Sequence, residues 1–424
     1  MLKSDRSMKS HHSWATKLHA SAFVFVAAQL LIMALPASGQ TLPEGRGKEI
    51  VATVCMSCHN FFARVGNGHT AAGWNMILRM MLNQGAPLDA AQVATVKQYL
   101  VANFPEKDKP SAALIPGKVK VSFKEWQVPT LGSRPHDPLA AADGTIWYTG
   151  QLANVLGHLD PKTGEIKEYA LPTPHGGPHG LVEDRDGNIW YTANAAGLIG
   201  KLDPKTGAVR EFPLPDPEAR DPHSLVFDQD GIIWFTVQAA NKIGRLDPKT
   251  GKIALFTPPT PNARPYGIAV NSRGVPFFVE FGTNRVGSID PKTHAITEYP
   301  LPDRAARPRR IAITGDDIVW YTDFSRGYLG RLDPATGAVT EWASPSGPKS
   351  QPYGISATDG AIWYSESNAK PNTIVRFDPK TAQFETWAIP GGGDIVRNTS
   401  VSKSGDLVLA NSLVNEVTLV AIKR

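Results

Sequence analysis

The feature that most constrains this chain is a repeat. From Asp186 to Pro215 it reads Asp-Gly-Asn-Ile-Trp-Tyr-Thr, then Ile-Gly-Lys-Leu-Asp-Pro-Lys-Thr-Gly, then Val-Arg-Glu-Phe-Pro-Leu-Pro. The aromatic anchor of this unit recurs as Trp147, Trp190, Trp234, Phe277, Trp320 and Trp363, and becomes Val408 in the last copy. The steps are 43, 44, 43, 43, 43 and 45 residues. An Asp-Pro pair trails each of the aromatic anchors, at Asp160, Asp203, Asp247, Asp290, Asp333 and Asp378. A fixed period of about 40–45 residues, built of short strands between turn signals, predicts propeller blades.

One unit resolves into four antiparallel strands. Gly180-Leu181-Val182 supplies the innermost one. Ile189 to Thr192 is β-branched and aromatic and follows the tight turn Asp186-Gly187. Leu198 to Leu202 is the third strand, turned around by Asp203-Pro204-Lys205-Thr206-Gly207, where Pro presets φ and Gly accepts positive φ. Val209 to Phe212 is the outer strand, ended by Pro213 and Pro215, which suit an edge. The seventh copy stops after its third strand, Val417 to Ile422. A matching outer strand lies upstream at Val119 to Pro129. The expectation is a ring closed by that N-terminal strand, which removes the exposed edges of an open sheet.

The chain ahead of the repeats is different. Residues 1–39 carry Lys3, Arg6, Lys9 and Lys17, an apolar run from Ala20 to Leu35, and the small residues Ala37-Ser38-Gly39. This is a secretory signal pattern with cleavage near Gln40. The apolar run is shorter than the roughly 20 residues needed to span a bilayer, so no membrane span is expected after cleavage, and the location is periplasmic. Loss of four basic residues and one acid with the leader lowers the net charge from +5 to +2. The basic balance is thus partly a leader effect and makes no case for nucleic acid.

The two cysteines fall together in Cys55-Met56-Ser57-Cys58-His59. Cys-x-x-Cys-His is the attachment signal for haem c: the thiols bond the haem vinyl groups and His59 presents its imidazole to the iron. Gly45 to Val54 reads as a helix into the motif. Asp89-Ala90-Ala91-Gln92 is a capping box opening a helix to Phe104, with Val93, Val96, Tyr99 and Leu100 on one face. With Gly73-Trp74-Asn75-Met76-Ile77-Leu78-Arg79-Met80-Met81 between them, this segment resembles the single-haem c-type domains of periplasmic dehydrogenases. The resemblance implies a Met as sixth ligand: Met80 is preferred, with Met81, Met76 and His69 as alternatives. Residues 106–118 read as a polar, Pro-containing linker. The expected fold class is mainly β: a seven-bladed β-propeller at 119–424, preceded by a small all-α cytochrome c domain at 40–105.

Two rings of repeat-equivalent residues face the expected axis. Eleven residues before each anchor (ten in the sixth copy) stand His136, His179, His223, Tyr266, Arg309, Tyr353 and Arg397. Three residues past each anchor stand Gly150, Ala193, Val237, Glu280, Asp323, Glu366 and Asn411, so that acids cluster in blades four to six. Such a mouth suits an oxygen-rich small molecule or a divalent cation. The alternative is a plug for the axial tunnel, with Arg309 and Arg397 neutralising the acids.

The repeated Pro-x-Gly-Ile, Asp-Gly-x-Ile-Trp-Tyr-Thr, Asn-x-Ile-Gly-Arg-Leu and Glu-Tyr-x-Leu-Pro elements closely resemble the virginiamycin B lyase family of streptogramin-inactivating propellers. The resemblance covers residues 119–424. It implies a Mg²⁺-dependent elimination that opens a cyclic depsipeptide at its ester, with a His base, an acid-Pro-His element and a later Glu around the metal. Asp221-Pro222-His223 in blade three fits the acid-Pro-His element, His179 is the neighbouring His, and Gln238 stands where the later Glu belongs. A neutral amide replaces a carboxylate poorly on Mg²⁺. The family's site, moreover, belongs to its last blade. The fused haem motif, for which an elimination has no use, favours electron transfer between haem c, a small-molecule substrate at the axis and a periplasmic partner. A Mg²⁺-dependent lyase using His223, His179 and Asp221, and a non-catalytic docking propeller, are the alternatives.

Overall fold

The computed structural model describes residues 41–423; the expected signal peptide lies outside them. From Leu42 onward the chain forms one compact unit. Seven four-stranded antiparallel sheets follow one another around an axis. In blade two the strands are Pro178–Glu183, Ile189–Ala193, Leu198–Leu202 and Val209–Pro213, running from the axis outward. The first strands of successive blades contact one another all the way round, the seventh meeting the first. Blade seven takes Val396–Val401, Leu407–Asn411 and Glu416–Lys423 from the C-terminus and Lys120–Gln127 from the N-terminal side. The closing pairing runs from Lys120 opposite Lys423 to Gln127 opposite Glu416.

The repeat letters have physical duties. The anchor indole stacks on an outer-strand ring of its own blade, as in Trp190–Phe212 at 5.4 Å and Trp363–Trp387 at 5.5 Å. Its Nε1 donates to the turn aspartate, as in Trp190 to Asp184 at 2.9 Å. The Gly of Ile-Gly-Lys lies under the aromatic after the anchor: a Cβ on Gly200 would fall 2.1 Å from the Tyr191 ring. In the Asp-Pro turn, Asp203 Oδ1 accepts from the Lys205 amide at 2.9 Å, and Gly207 closes it at φ 75°.

Four helices precede the ring: α1 (Lys48–Thr53), α2 (Phe61–Val65), α3 (Ala71–Asn83) and α4 (Ala90–Asn103). The capping box at Asp89 and Gln92 forms as the sequence implies. Val51, Phe61, Trp74, Leu78, Val96, Tyr99 and Leu100 make their core. The opposite stripe of α3 lies on the propeller: Gly73 abuts Leu413, Met80 abuts Gly132, Asn83 donates to the Leu131 carbonyl and Gln84 to that of Leu152, each at 2.9 Å.

The segment from Glu106 to Lys118 is not a loose linker. Lys109 pairs with Asp394 at 2.9 Å and Glu106 at 3.1 Å, and Glu106 also meets Lys370. Pro110 and Ala112 share backbone hydrogen bonds with Lys370, and Ile115 accepts from the Thr386 amide and donates to Thr386 Oγ1. Its charges find fixed partners on blades six and seven, so it lies along them as a strap. Among the described residues no helix is long and apolar enough to cross a membrane.

Candidate functional site

Each axial residue stands directly after the first residue of its blade's inner strand, which is Pro in six blades and Val396 in the seventh. There the pairing slips by one residue in every blade: Pro178 faces Ala193, yet Leu181 already faces Tyr191. The extra residue is a β-bulge, which re-aims side chains that strict alternation would send to opposite faces. A hydroxyl pins it. Thr149, Thr192, Thr236, Thr322 and Ser365 each donate to the carbonyl of the next blade's inner strand at 2.7–3.0 Å. In the same five blades the bulge amide donates back to that oxygen, as Gly180 does to Thr192 at 2.9 Å.

The ring residues touch in sequence. His136 and His179 lie 3.7 Å apart by ring centroid, His179 and His223 3.7 Å, and His223 and Tyr266 3.8 Å. The Tyr266 and Tyr353 hydroxyls share a short hydrogen bond. Arg309 closes the circle, its guanidinium carbon 3.9 Å from the Tyr353 centroid and 4.1 Å from that of Phe324, with Phe281 and Tyr266 also within reach. All three histidines are buried. Burial first, then Arg397, Arg134, Arg310 and Arg309, holds His136 far below the ordinary histidine range. Burial likewise lowers His179 and His223, so the three stay neutral.

Beneath the ring runs a cross-axis network that period-two reading of the strands missed. It uses the residue after each ring position. Arg310 donates to Asp137 at 2.7 Å, to Ser224 at 3.1 Å and to the Arg397 carbonyl at 3.1 Å. Asp137 also accepts from Asn398 at 3.0 Å and from His136 at 2.8 Å. A buried ion pair with its lone pairs filled is the condition under which such a pair is tolerated. The sequence signal was Asp137, Ser224, Arg310 and Asn398 at repeat-equivalent places. His136, Asp137 and His179 offer three donor atoms within 4.8 Å of one another. With Asp137 committed to Arg310, this cluster serves the plug.

The acids of the second ring do not join the mouth. Asp323 accepts from Arg326 at 2.6 Å and from the Arg307 amide at 3.0 Å. Glu366 is held by Ser344, Ser346 and Thr373. Glu280 accepts from Thr283 at 2.6 Å. Each sits opposite the strand-opening Pro of its own blade, and its partners lie on that blade or the one before. Asp221, in positive φ, is met by Asn194 and Arg264, and burial raises its carboxyl to about 6 against their pull. Gln238 is buried and bonds Asp221 through backbone only, amide to carbonyl at 2.9 Å. His223 Nδ1 lies 3.2 Å from Ser224 Oγ, which accepts from Arg310 at 3.1 Å.

What remains at the mouth is cationic. Arg309 and Arg397 are half-buried, and so is Arg134, which the ring count had not included. Among the described residues none of the three has a carboxylate within 4.0 Å. Arg397 Nε donates to Ser412 at 3.0 Å, and Arg309 Nε is buried with no partner.

In the helical part, Cys55 to Ser57 forms a single 3₁₀ turn, and both thiols are free, Cys55 half-buried and Cys58 exposed. His59 keeps a buried Nδ1 that no protein group meets. Met80 is buried on the propeller-facing stripe, Met76 and Met81 are half-buried, and His69 packs edge-on against Trp74 at 4.8 Å. An unsatisfied imidazole beside two unpaired thiols fits a haem c attachment.

Among solved structures the chain is similar to a streptogramin B lyase, at 28% identity, TM-score 0.66, and coverage of 72% of this chain and 98% of that one. The virginiamycin B lyase from Staphylococcus aureus gives 26% identity, TM-score 0.65, and coverage of 71% and 99%. Hydrazine synthase from Kuenenia stuttgartiensis, at 14% identity and TM-score 0.57 over 69% and 96%, shares the fold. No curated protein matches the chain. The sequence pattern of the Virginiamycin B lyase family matches residues 117–377. Covering more than half of the chain, that match shows that it belongs to the virginiamycin B lyase family.

Proposed function

We propose that this propeller binds a small molecule at its axial mouth and exchanges electrons with it through a haem c carried by the helical segment, in the periplasm. The observation that carries this reading is placement. The helical part that carries Cys55, Cys58 and His59 docks through α3 on the loops at Leu131, Gly132, Leu152 and Leu413, on the face where the inner strands begin and the ring opens. A covalently held haem supplies one-electron oxidation and reduction. Cys55 and Cys58 would anchor it and His59 would ligate it, with Met80 as the preferred sixth ligand. The other duties fall to the propeller. Arg309 and Arg397 bind and orient the substrate, the buried Tyr266 and Tyr353 pair backs Arg309, and Phe281 and Phe324 exclude water. The neutral ring histidines His136, His179 and His223 are able to accept a proton when charge changes nearby. Electrons leave to or arrive from a periplasmic partner protein across the exposed side of the motif, where Met56 is 40% exposed.

The test uses the mature protein. Haem should survive acid-acetone extraction, and Cys55→Ala with Cys58→Ala should abolish it; complete extraction from the unaltered protein overturns the reading. Met80→Ala should remove the Met–iron charge-transfer band. Loss only in Met81→Ala reassigns the ligand.

Family membership favours a second reading, a Mg²⁺-dependent C–O lyase. The ring position of the last blade is Arg397, which holds no basic lone pair. In blade three, Gln238 supplies no carboxylate beside Asp221, and His223 is engaged. Streptogramin linearisation should therefore be absent with or without Mg²⁺. Robust Mg²⁺-dependent cleavage, lost in His223→Ala, establishes the lyase reading instead.

A further inference from the structure

The axial mouth has an unbalanced charge. Four guanidiniums, from Arg134, Arg309, Arg310 and Arg397, all act on His136. The one carboxylate on the axis among the described residues, Asp137, is taken by Arg310. The acids that sequence position brought near the mouth, Glu280, Asp323 and Glu366, are bonded elsewhere. Exposed Arg64, on α2 just past the Cys-x-x-Cys-His motif, adds to the positive field at Arg134. Unpaired charge in partly buried surroundings is costly and calls for an opposite charge. The wall around the most committed of these cations is apolar and flat. Arg309 lies among the rings of Tyr266, Phe281, Phe324 and Tyr353, with Phe281 and Phe324 partly exposed. Contact with rings uses none of the guanidinium's N–H groups, Arg309 Nε has no partner among the described residues, and paired guanidinium N–H groups match a carboxylate in bidentate fashion.

We propose that the axial mouth is a site for a small organic carboxylate with a flat apolar body. Its carboxylate is held by the N–H groups of Arg309 in the field of Arg397 and Arg134, and its body lies against Phe281 and Phe324. A divalent cation is disfavoured because the oxygen ligands it needs are bonded elsewhere. Inorganic phosphate satisfies the charge but leaves the two phenylalanine rings uncovered, so it is the weaker ligand. The Tyr pair gives a built-in reporter. Burial works to raise Tyr353, but Arg309, Arg397 and Arg310 outweigh it and lower its phenol, while Tyr266 rises. A bound carboxylate neutralises that field, so the Tyr353 ionisation must move up.

This deepens the reading of the mouth as the small-molecule site, and its failure is separable from failure of the haem reading. Benzoate, acetate and inorganic phosphate are titrated into the mature protein by calorimetry, with tyrosinate absorbance followed against pH. Benzoate should bind saturably and more tightly than acetate or phosphate. It should also shift the lowest tyrosine ionisation upward, a response that a merely structural plug does not give. Arg309→Gln should weaken benzoate about tenfold to 100-fold, as expected for a lost charge-assisted hydrogen bond, and Arg397→Gln should weaken it less, both at unchanged haem content. Phosphate binding more tightly than benzoate, or no saturable binding with an unmoved tyrosine ionisation, overturns the proposal. Benzoate binding by protein without haem leaves this site standing and overturns the redox reading alone.

Discussion

Glu280 is fully buried, with Oε2 accepting from Thr283 and Oε1 meeting no partner. Burial raises its carboxyl to about 8, opposed by Thr283 and reinforced by Glu298. A carboxyl raised in the folded state binds its proton there more tightly than in the unfolded chain. Stability is then greatest below the unfolded value of about 4.3 and declines as pH rises toward about 8. Thermal midpoints should fall between pH 5 and 8, and Glu280→Gln should flatten that slope; an unchanged slope in the variant contradicts the assignment. The same residue marks the limit of reading sites from repeats. Position three past the anchor places Glu280, Asp323 and Glu366 at the right end of the blade, but direction is set by which donors lie nearby. Thr283 and Arg326 stand at the same place, three past their acids, while Ser344 and Ser346 come from the preceding connection, so the residue type that meets each acid changes from blade to blade. The ring itself was legible because six of its seven members follow a Pro. Arg310 and Asp137 were not, because a bulge breaks the alternation on which facing is judged.

Within a blade the elements were legible almost to the residue, since turn chemistry and aromatic anchors both recur at one period. The bulge pinned by Thr or Ser was hidden: Thr192 reads as an ordinary strand residue until its oxygen is seen between the His223 carbonyl and the Gly180 amide. The close approach at Gly200 is a second element-level device. Gly200→Ala should drive a methyl into the Tyr191 ring and cost about 1–3 kcal/mol, read as a lowered midpoint in urea. Adding Tyr191→Leu should recover part of the loss. Equal stabilities of Gly200→Ala and the unaltered protein contradict the packing described.

At the scale of the molecule, closure rests on Lys120–Gln127, whose Val121 and Phe123 pack on the core of blades six and seven. Removal of residues 1–118 should leave a folded ring. Removal through Gln127 should cost about 3 kcal/mol or more from lost apolar burial and expose the edge at Glu416–Lys423. Coincident thermal midpoints for the two truncations exclude this closure. The repeat count made the ring's closure legible, whereas the docking of α3 was not, because its contacts at Leu131, Leu152 and Leu413 fall in non-repeating loops. The segment at 106–118 reads as polar spacer by composition, and only its pairing with Asp394, Lys370 and Thr386 turns it into a strap.

That strap has a kinetic meaning. A redox module on a slack leash works by diffusing between stations, and its encounter rate follows the effective concentration that the leash permits. Here the leash is fastened along its length through Glu106, Lys109, Pro110, Ala112 and Ile115. For the haem proposed on the helical part this means one station, to which traffic must come. Inserting a run of Gly and Ser after Lys118 lengthens the chain beyond the fastened stretch and should leave haem reduction by the axial ligand unchanged. Lys109→Ala with Glu106→Ala, which unfastens it, should slow that reduction while exchange with a freely diffusing mediator continues at its former rate.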